Sequence, residues 1–150
     1  MQRDGFDDSL GKIKEIIMSK PSSSTKFAIY RTEMNSKLSL HEVYGDRVYI
    51  PDYLRQSFTR LRLMSHELKV ETGRWSRLPR EERVCVCNNE VVQDEKHVLL
   101  ACPLLAHIRQ RFRELDYSNI CNLLNDEKDP ENLCKYVREV MKCIGNLTNA

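Results

Sequence analysis

Apolar residues recur at three- and four-residue intervals along much of this chain, the spacing of helices that bury one face. The clearest stretch is 53–64, where Leu54, Phe58, Leu61 and Met64 form a stripe behind Pro51 and Asp52, a pair suited to opening a helix. Arg55, Arg60 and Arg62 are expected to project away from that stripe. From Asp94 the helical pattern returns, with His97, Val98, Leu100 and Ala101, and then Leu104, Leu105, Ile108, Phe112 and Leu115. Pro103 suits the first turn of the second of these helices. Two more helices are predicted at 118–124 and 131–144, the last with Leu133, Tyr136, Val137, Val140, Met141 and Ile144 on one side.

Elsewhere the helical pattern breaks. Residues 68–75 contain Gly73, which predicts a turn or a close backbone approach, and Pro79 closes the stretch. Residues 84–92 read as two extended pieces about an Asn88-Asn89 turn. Near the N-terminus, Leu10, Ile13, Ile16 and Ile17 predict a short amphipathic helix over 9–19, followed by Pro21 and the linker-like Ser22-Ser23-Ser24. Residues 26–49 fit strand or helix equally. The expected organisation is an N-terminal helix and linker at 1–25 and a mainly α domain at 26–150, with a short β-hairpin or knuckle at 84–103.

At 150 residues, 41% of them apolar and 31% charged, the chain has enough apolar material for one core. No apolar run reaches membrane-spanning length, and 1–20 resembles neither a secretory signal nor a transit peptide, so nucleus or cytoplasm is the expected location. The net charge of +2 conceals an uneven distribution. Residues 54–83 hold eight basic side chains against four acidic ones, leaving the remainder slightly acidic.

Six cysteines in a reducing compartment point to metal or buried thiols rather than to disulfides. Cys85, Cys87, His97 and Cys102 form a C-x-C-x9-H-x4-C pattern, whose donors can converge on one tetrahedral zinc ion (Zn2+). Four protein ligands leave no position for water, which makes the expected metal structural. The plain alternative treats the three cysteines as small buried apolar residues and His97 as a surface polar one. His107 and Cys121 are reserve ligands, while Cys121, Cys134 and Cys143 otherwise read as core thiols.

The strings RLRLMSHELKVETGRWSRLPR (60–80), EERVCVC (81–87) and EKHVLLACPL (95–104) resemble the C-terminal zinc-binding region of non-LTR, LINE-type retrotransposon reverse transcriptases. Motif order and flanks agree over about 53–112, at Arg60, Arg62, Ser65, His66, Leu68, Glu71, Gly73, Arg74, Pro79, Arg83, Cys85, Cys87, Glu95, His97, Leu99, Cys102 and Pro103. One spacing departs: that family usually places two residues between its first two cysteines, and here only Val86 intervenes. An extended backbone at 85–87 would still direct both thiols to one side.

The resemblance implies a region that helps a polymerase hold template RNA or nicked target DNA. Arg55, Arg60, Arg62, Arg74, Arg77, Arg80 and Arg83 offer a basic surface in keeping with that, of the kind that binds phosphates without reading sequence. Trp75 reads either as a stacking platform for an exposed base or as a core anchor. His66 and Glu71 have an equally ordinary structural reading, Glu71 through pairing with Arg62 or Arg74. No phosphate loop, nucleophile elbow or metalloprotease motif is present, so no enzyme activity is expected. From a different class, the helices at 9–19 and 131–144 of a zinc-stabilised module could instead dock a protein partner; no membrane partner is expected.

Overall fold

After a 3-10 turn at Glu42–Tyr44, Pro51 opens the first described α-helix, α1 (Asp52–Arg62), because its φ of −56° is already set for the turn that follows. The computed structural model describes residues 41–45 and 48–149. The predictions for 1–40, including the 9–19 helix and the serine linker, lie outside them, as do residues 46 and 47 of the ambiguous 26–49 stretch. Leu54, Phe58 and Leu61 are buried along one face of α1, as their spacing predicts. The helix ends in a Schellman motif, with Ser65 N–H donating to the Arg60 carbonyl (2.8 Å) and Met64 N–H to that of Leu61 (3.0 Å). Met64 takes the left-handed position usually given to glycine, with φ of 54°, and burial holds it there.

The segment expected to turn at Gly73 is instead a helix, α2 (Lys69–Trp75). It ends in a second Schellman motif, where Leu78 N–H donates to the Gly73 carbonyl and left-handed Arg77 (φ 58°) donates to that of Arg74. Gly73 serves a close approach: a Cβ built on it would lie 2.6 Å from Arg83 Cγ and 2.8 Å from Cδ.

After a single 3-10 turn at Arg80–Glu82, the expected hairpin reduces to one isolated antiparallel bridge, Val84 to Val92. No strand is found among the described residues, and the fold is mainly helical. The chain then forms a π-type turn at His97–Ala101, a 3-10 turn at Pro103–Leu105, and the helices α3 (Ala106–Arg111), α4 (Ile120–Leu124) and α5 (Pro130–Thr148). Asn119 caps α4 by accepting from Asn122 N–H (2.7 Å), and Asp129 caps α5 by accepting from Asn132 N–H (3.1 Å).

The core lies between α1 and α5. Leu133, Cys134, Tyr136, Val137, Val140 and Ile144 bury the apolar face of α5, so the face the sequence offered to a protein partner at 131–144 is covered within the chain. Of the three thiols assigned to the core, Cys134 is buried and Cys121 and Cys143 are half-buried. Among the described residues no helix is long and apolar enough to cross a membrane.

Candidate metal centre

The five-residue step from His97 to Cys102 does not match the α-helical repeat, and the backbone resolves this with the π-type turn. Cys102 N–H donates to the His97 carbonyl at 2.7 Å, an i to i+5 bond that closes the wider turn and brings the two side chains together. Pro103 favours an extended conformation at the preceding residue, and Cys102 accordingly leaves the helix with φ −60° and ψ 120°. The turn is held from outside by the buried Tyr136 hydroxyl, which donates to the Leu99 carbonyl (2.5 Å). Arg109 donates to the Cys102 carbonyl.

On the other side, Cys85 follows the bridge and Cys87 sits in a turn over 86–88, not in the extended backbone expected there. Asn89 N–H donates to the Cys85 carbonyl (2.9 Å), Cys85 N–H to that of Val91 (2.7 Å), and the Asn88 side chain accepts from the N–H groups of Glu90 and Val91. Asn89 supplies the left-handed residue, φ 57°, a conformation asparagine tolerates well. A single intervening residue therefore suffices to direct both thiols to one point.

The four candidate ligand atoms all lie within 4.8 Å of one another. Cys85 Sγ and Cys102 Sγ are 3.8 Å apart, and Cys87 Sγ lies 3.3 Å from His97 Nε2. Metal–sulfur bonds of about 2.3 Å at the tetrahedral angle place two sulfurs about 3.8 Å apart. A disulfide would require about 2.05 Å, and all three cysteines are free. The chain thus brings Cys85, Cys87, His97 and Cys102 close enough to bind one metal ion. His107 and Cys121 are outside the cluster.

Burial tunes these donors. It pushes the Cys102 thiol up to about 12 and the Cys87 thiol above its ordinary value, while it holds His97 below the usual imidazole range. The histidine is thereby neutral and ready to ligate at neutral pH, whereas these two thiols must lose protons to do so.

Around the candidate ligands stands a second set of contacts, in which the sequence foretells neither Gln93 nor the pairing of His66 with Glu95. Gln93, 1% exposed, directs Nε2 towards Cys85 Sγ (3.8 Å) and donates to Thr148 Oγ1 in α5 (3.1 Å). Its Oε1 accepts from Lys69 N–H at the start of α2 (2.9 Å). His66 accepts from Leu68 N–H at Nδ1, so its proton is on Nε2, which donates to Glu95 Oε1 at 2.7 Å. Glu95 is two residues before the candidate ligand His97, and the pair ties the loop after α1 to the segment that carries the candidate ligands. Burial opposes the Glu95 charge, but His66 outweighs it and Glu95 titrates below the usual carboxylate range.

The predicted basic surface divides. Arg60, Arg74, Arg77 and Arg80 are exposed, while Arg55 is half-buried and bound to Asp52. Arg74 lies 3.8 Å from Glu71, and Arg80 is 3.2 Å from Asp94. Arg62 does not project outward as expected: it is 5% exposed, lies over the Phe58 ring and donates to Asn125. Arg83 is a strap between elements, donating to the Leu78 carbonyl through Nε (2.8 Å) and to the Val70 carbonyl through Nη1 (2.9 Å). Trp75 is 68% exposed, which removes the core-anchor reading. Neither Arg62 nor Arg83 carries a sequence signal for these roles, since the former differs from Arg60 only by its place on the helix and the latter depends on Gly73 far from it along the chain.

No protein-family model, curated protein or solved structure matches the chain.

Proposed function

We propose that the chain is a zinc-dependent nucleic-acid-binding domain, related to the C-terminal region of non-LTR retrotransposon reverse transcriptases and without catalysis of its own. The convergence of three thiols and one imidazole at tetrahedral spacing carries this reading, because it occurs in the segment whose flanks bear the motif resemblance. Sulfur-rich tetrahedral sites suit zinc, and a four-residue ligand set completes its coordination without a water to activate. The metal is then structural: it supplies folding free energy to a loop that holds only a single bridge of its own.

Support for nucleic acid as the partner comes from the surface beside the metal. Arg60 lines a cleft together with the exposed Trp75, and Arg74, Arg77 and Arg80 are exposed as well, so phosphate-binding cations and a flat ring of the kind that suits RNA or DNA are both on the surface. Arg62 and Arg83 drop out of this set, and Arg55 contributes weakly.

Elemental analysis of the purified chain together with a salt series of RNA and DNA binding tests the proposal. One zinc per chain, lost in Cys102→Ser, is expected. With about four phosphate contacts, log affinity should fall against log salt with a slope of roughly −3 to −4. A folded chain without metal, or binding that is absent or indifferent to salt, would overturn it.

A further inference from the structure

Trp75 stands between two clefts. One, of about 230 Å³, is lined by Ser57, Arg60, Ser65, His66 and Met141. The other, of about 520 Å³, runs along α5 past Lys69, Thr72, Gln93 and Thr148. Trp75 and Glu67 line both. The indole therefore forms a shared wall and is two-thirds exposed.

We propose that this double cleft binds a single-stranded nucleic acid, one unpaired base stacking on Trp75 while the backbone passes Arg60 on one side and Lys69 on the other. The inference rests on the nucleic-acid reading above and deepens it by naming the strand state and the site. In a duplex each base face is covered by its neighbours, so a surface ring has nothing to stack on; an unpaired base offers its face to any aromatic platform. Arg60 makes no ion pair among the described residues and projects into the smaller cleft, where it can meet a phosphate. Glu67 repels phosphate from the centre of the site and accepts from amino groups on a base edge, which assigns the base to the middle and the backbone to the flanks.

Trp75 is the single tryptophan of the chain, so its emission reports on this site alone. The zinc-loaded full chain is titrated with unlabelled oligouridine while tryptophan fluorescence is followed, and labelled oligouridine and a labelled duplex are followed in parallel by anisotropy. The expected result is quenching by the single strand, none by the duplex, and a loss of single-strand affinity in Trp75→Ala of roughly 5- to 150-fold, the range for removing one stacking ring. Trp75→Phe should recover most of that loss. Unchanged metal content and circular dichroism certify the fold of both variants. Binding of either strand form that leaves the emission and the Trp75→Ala affinity unchanged would overturn the cleft assignment and leave the broader proposal standing. Equal quenching by duplex would overturn the single-strand preference. No binding of any oligonucleotide would overturn both.

Discussion

Replacing Gly73 by alanine sets two effects of opposite sign against each other. Within a helix the change favours folding by about 1 kcal/mol, because glycine loses more backbone freedom on ordering. Here the new methyl would sit 2.6 Å from Arg83 Cγ, 2.8 Å from Cδ and 3.1 Å from Nε. A loose arginine would swing aside at little cost. This one is held at its tip by two bonds, 2.8 Å to the Leu78 carbonyl and 2.9 Å to that of Val70, so moving its stem breaks both. Two charge-assisted bonds, discounted for their partial exposure, stabilise by ~2–3 kcal/mol. The net expectation for Gly73→Ala is a loss of about 1–2 kcal/mol, the difference between these terms. Urea denaturation in the presence of zinc measures it, through the midpoint at unchanged slope. The decisive comparison is the double-mutant cycle: with Arg83→Ala already in place the clash is gone, and Gly73→Ala should become stabilising by about 1 kcal/mol. If alanine at 73 stabilises the otherwise unchanged chain, or if the two substitutions simply add, the strap role of Arg83 is wrong.

Metal uptake should release protons at neutral pH, since burial keeps Cys87 and Cys102 protonated there without metal, and affinity should therefore rise with pH. Titration calorimetry in two buffers of different ionisation enthalpy measures the release; identical heats in both would refute it. His41, buried against the Phe58 ring at 4.9 Å between centroids, is pushed down to about 4 by burial and then by the nearby Arg62 guanidinium. The folded form therefore binds its proton later than the unfolded form as pH falls, so stability is unaffected by this group above about 6.5 and declines between there and about 4. At about 1.4 kcal/mol per pKa unit the loss from this residue is about 2 kcal/mol by pH 5. Urea midpoints at pH 7 and pH 5 for the native chain and His41→Phe check this, and an equal decline in both would count against it.

The two long helices were legible because their apolar stripes carry both period and length. Leu54, Phe58 and Leu61, and Leu133, Val137, Val140 and Ile144, are buried where their spacing puts them. The misread segment, α2, failed for a specific reason: glycine usually signals an interruption, but Gly73 answers to a side chain ten residues on that crosses above it. The true terminators of α1 and α2 are Met64 and Arg77, both left-handed and neither of a residue type that announces a helix end. The candidate metal ligands could be picked out from their spacing and from the motif resemblance because thiol and imidazole chemistry is confined to few residue types, and the fold does bring the four together. Spacing could not foretell the backbone devices that serve them, a π-type turn for the x4 step and a tight turn at 86–88 in place of an extended strand.

Those devices make the metal centre and the Trp75 cleft parts of one structure. Gln93 reaches a ligand sulfur with one end of its amide and caps the first turn of α2 with the other, while its side chain also lines the larger cleft and holds Thr148 on the opposite wall. His66 lines the smaller cleft and is bonded to Glu95, two residues from the ligand His97. Both clefts are therefore anchored to the segment that carries the candidate metal ligands, through buried hydrogen bonds whose loss would leave polar groups without partners. No arginine of the proposed interface has to touch the metal for binding to depend on it. In the proposed zinc-bound form, removing the ion should loosen the 85–102 segment and with it Gln93 and His66, which line the two clefts beside Trp75. Under the proposed function, a structural metal would act on recognition through these two side chains rather than through any contact of its own with the nucleic acid.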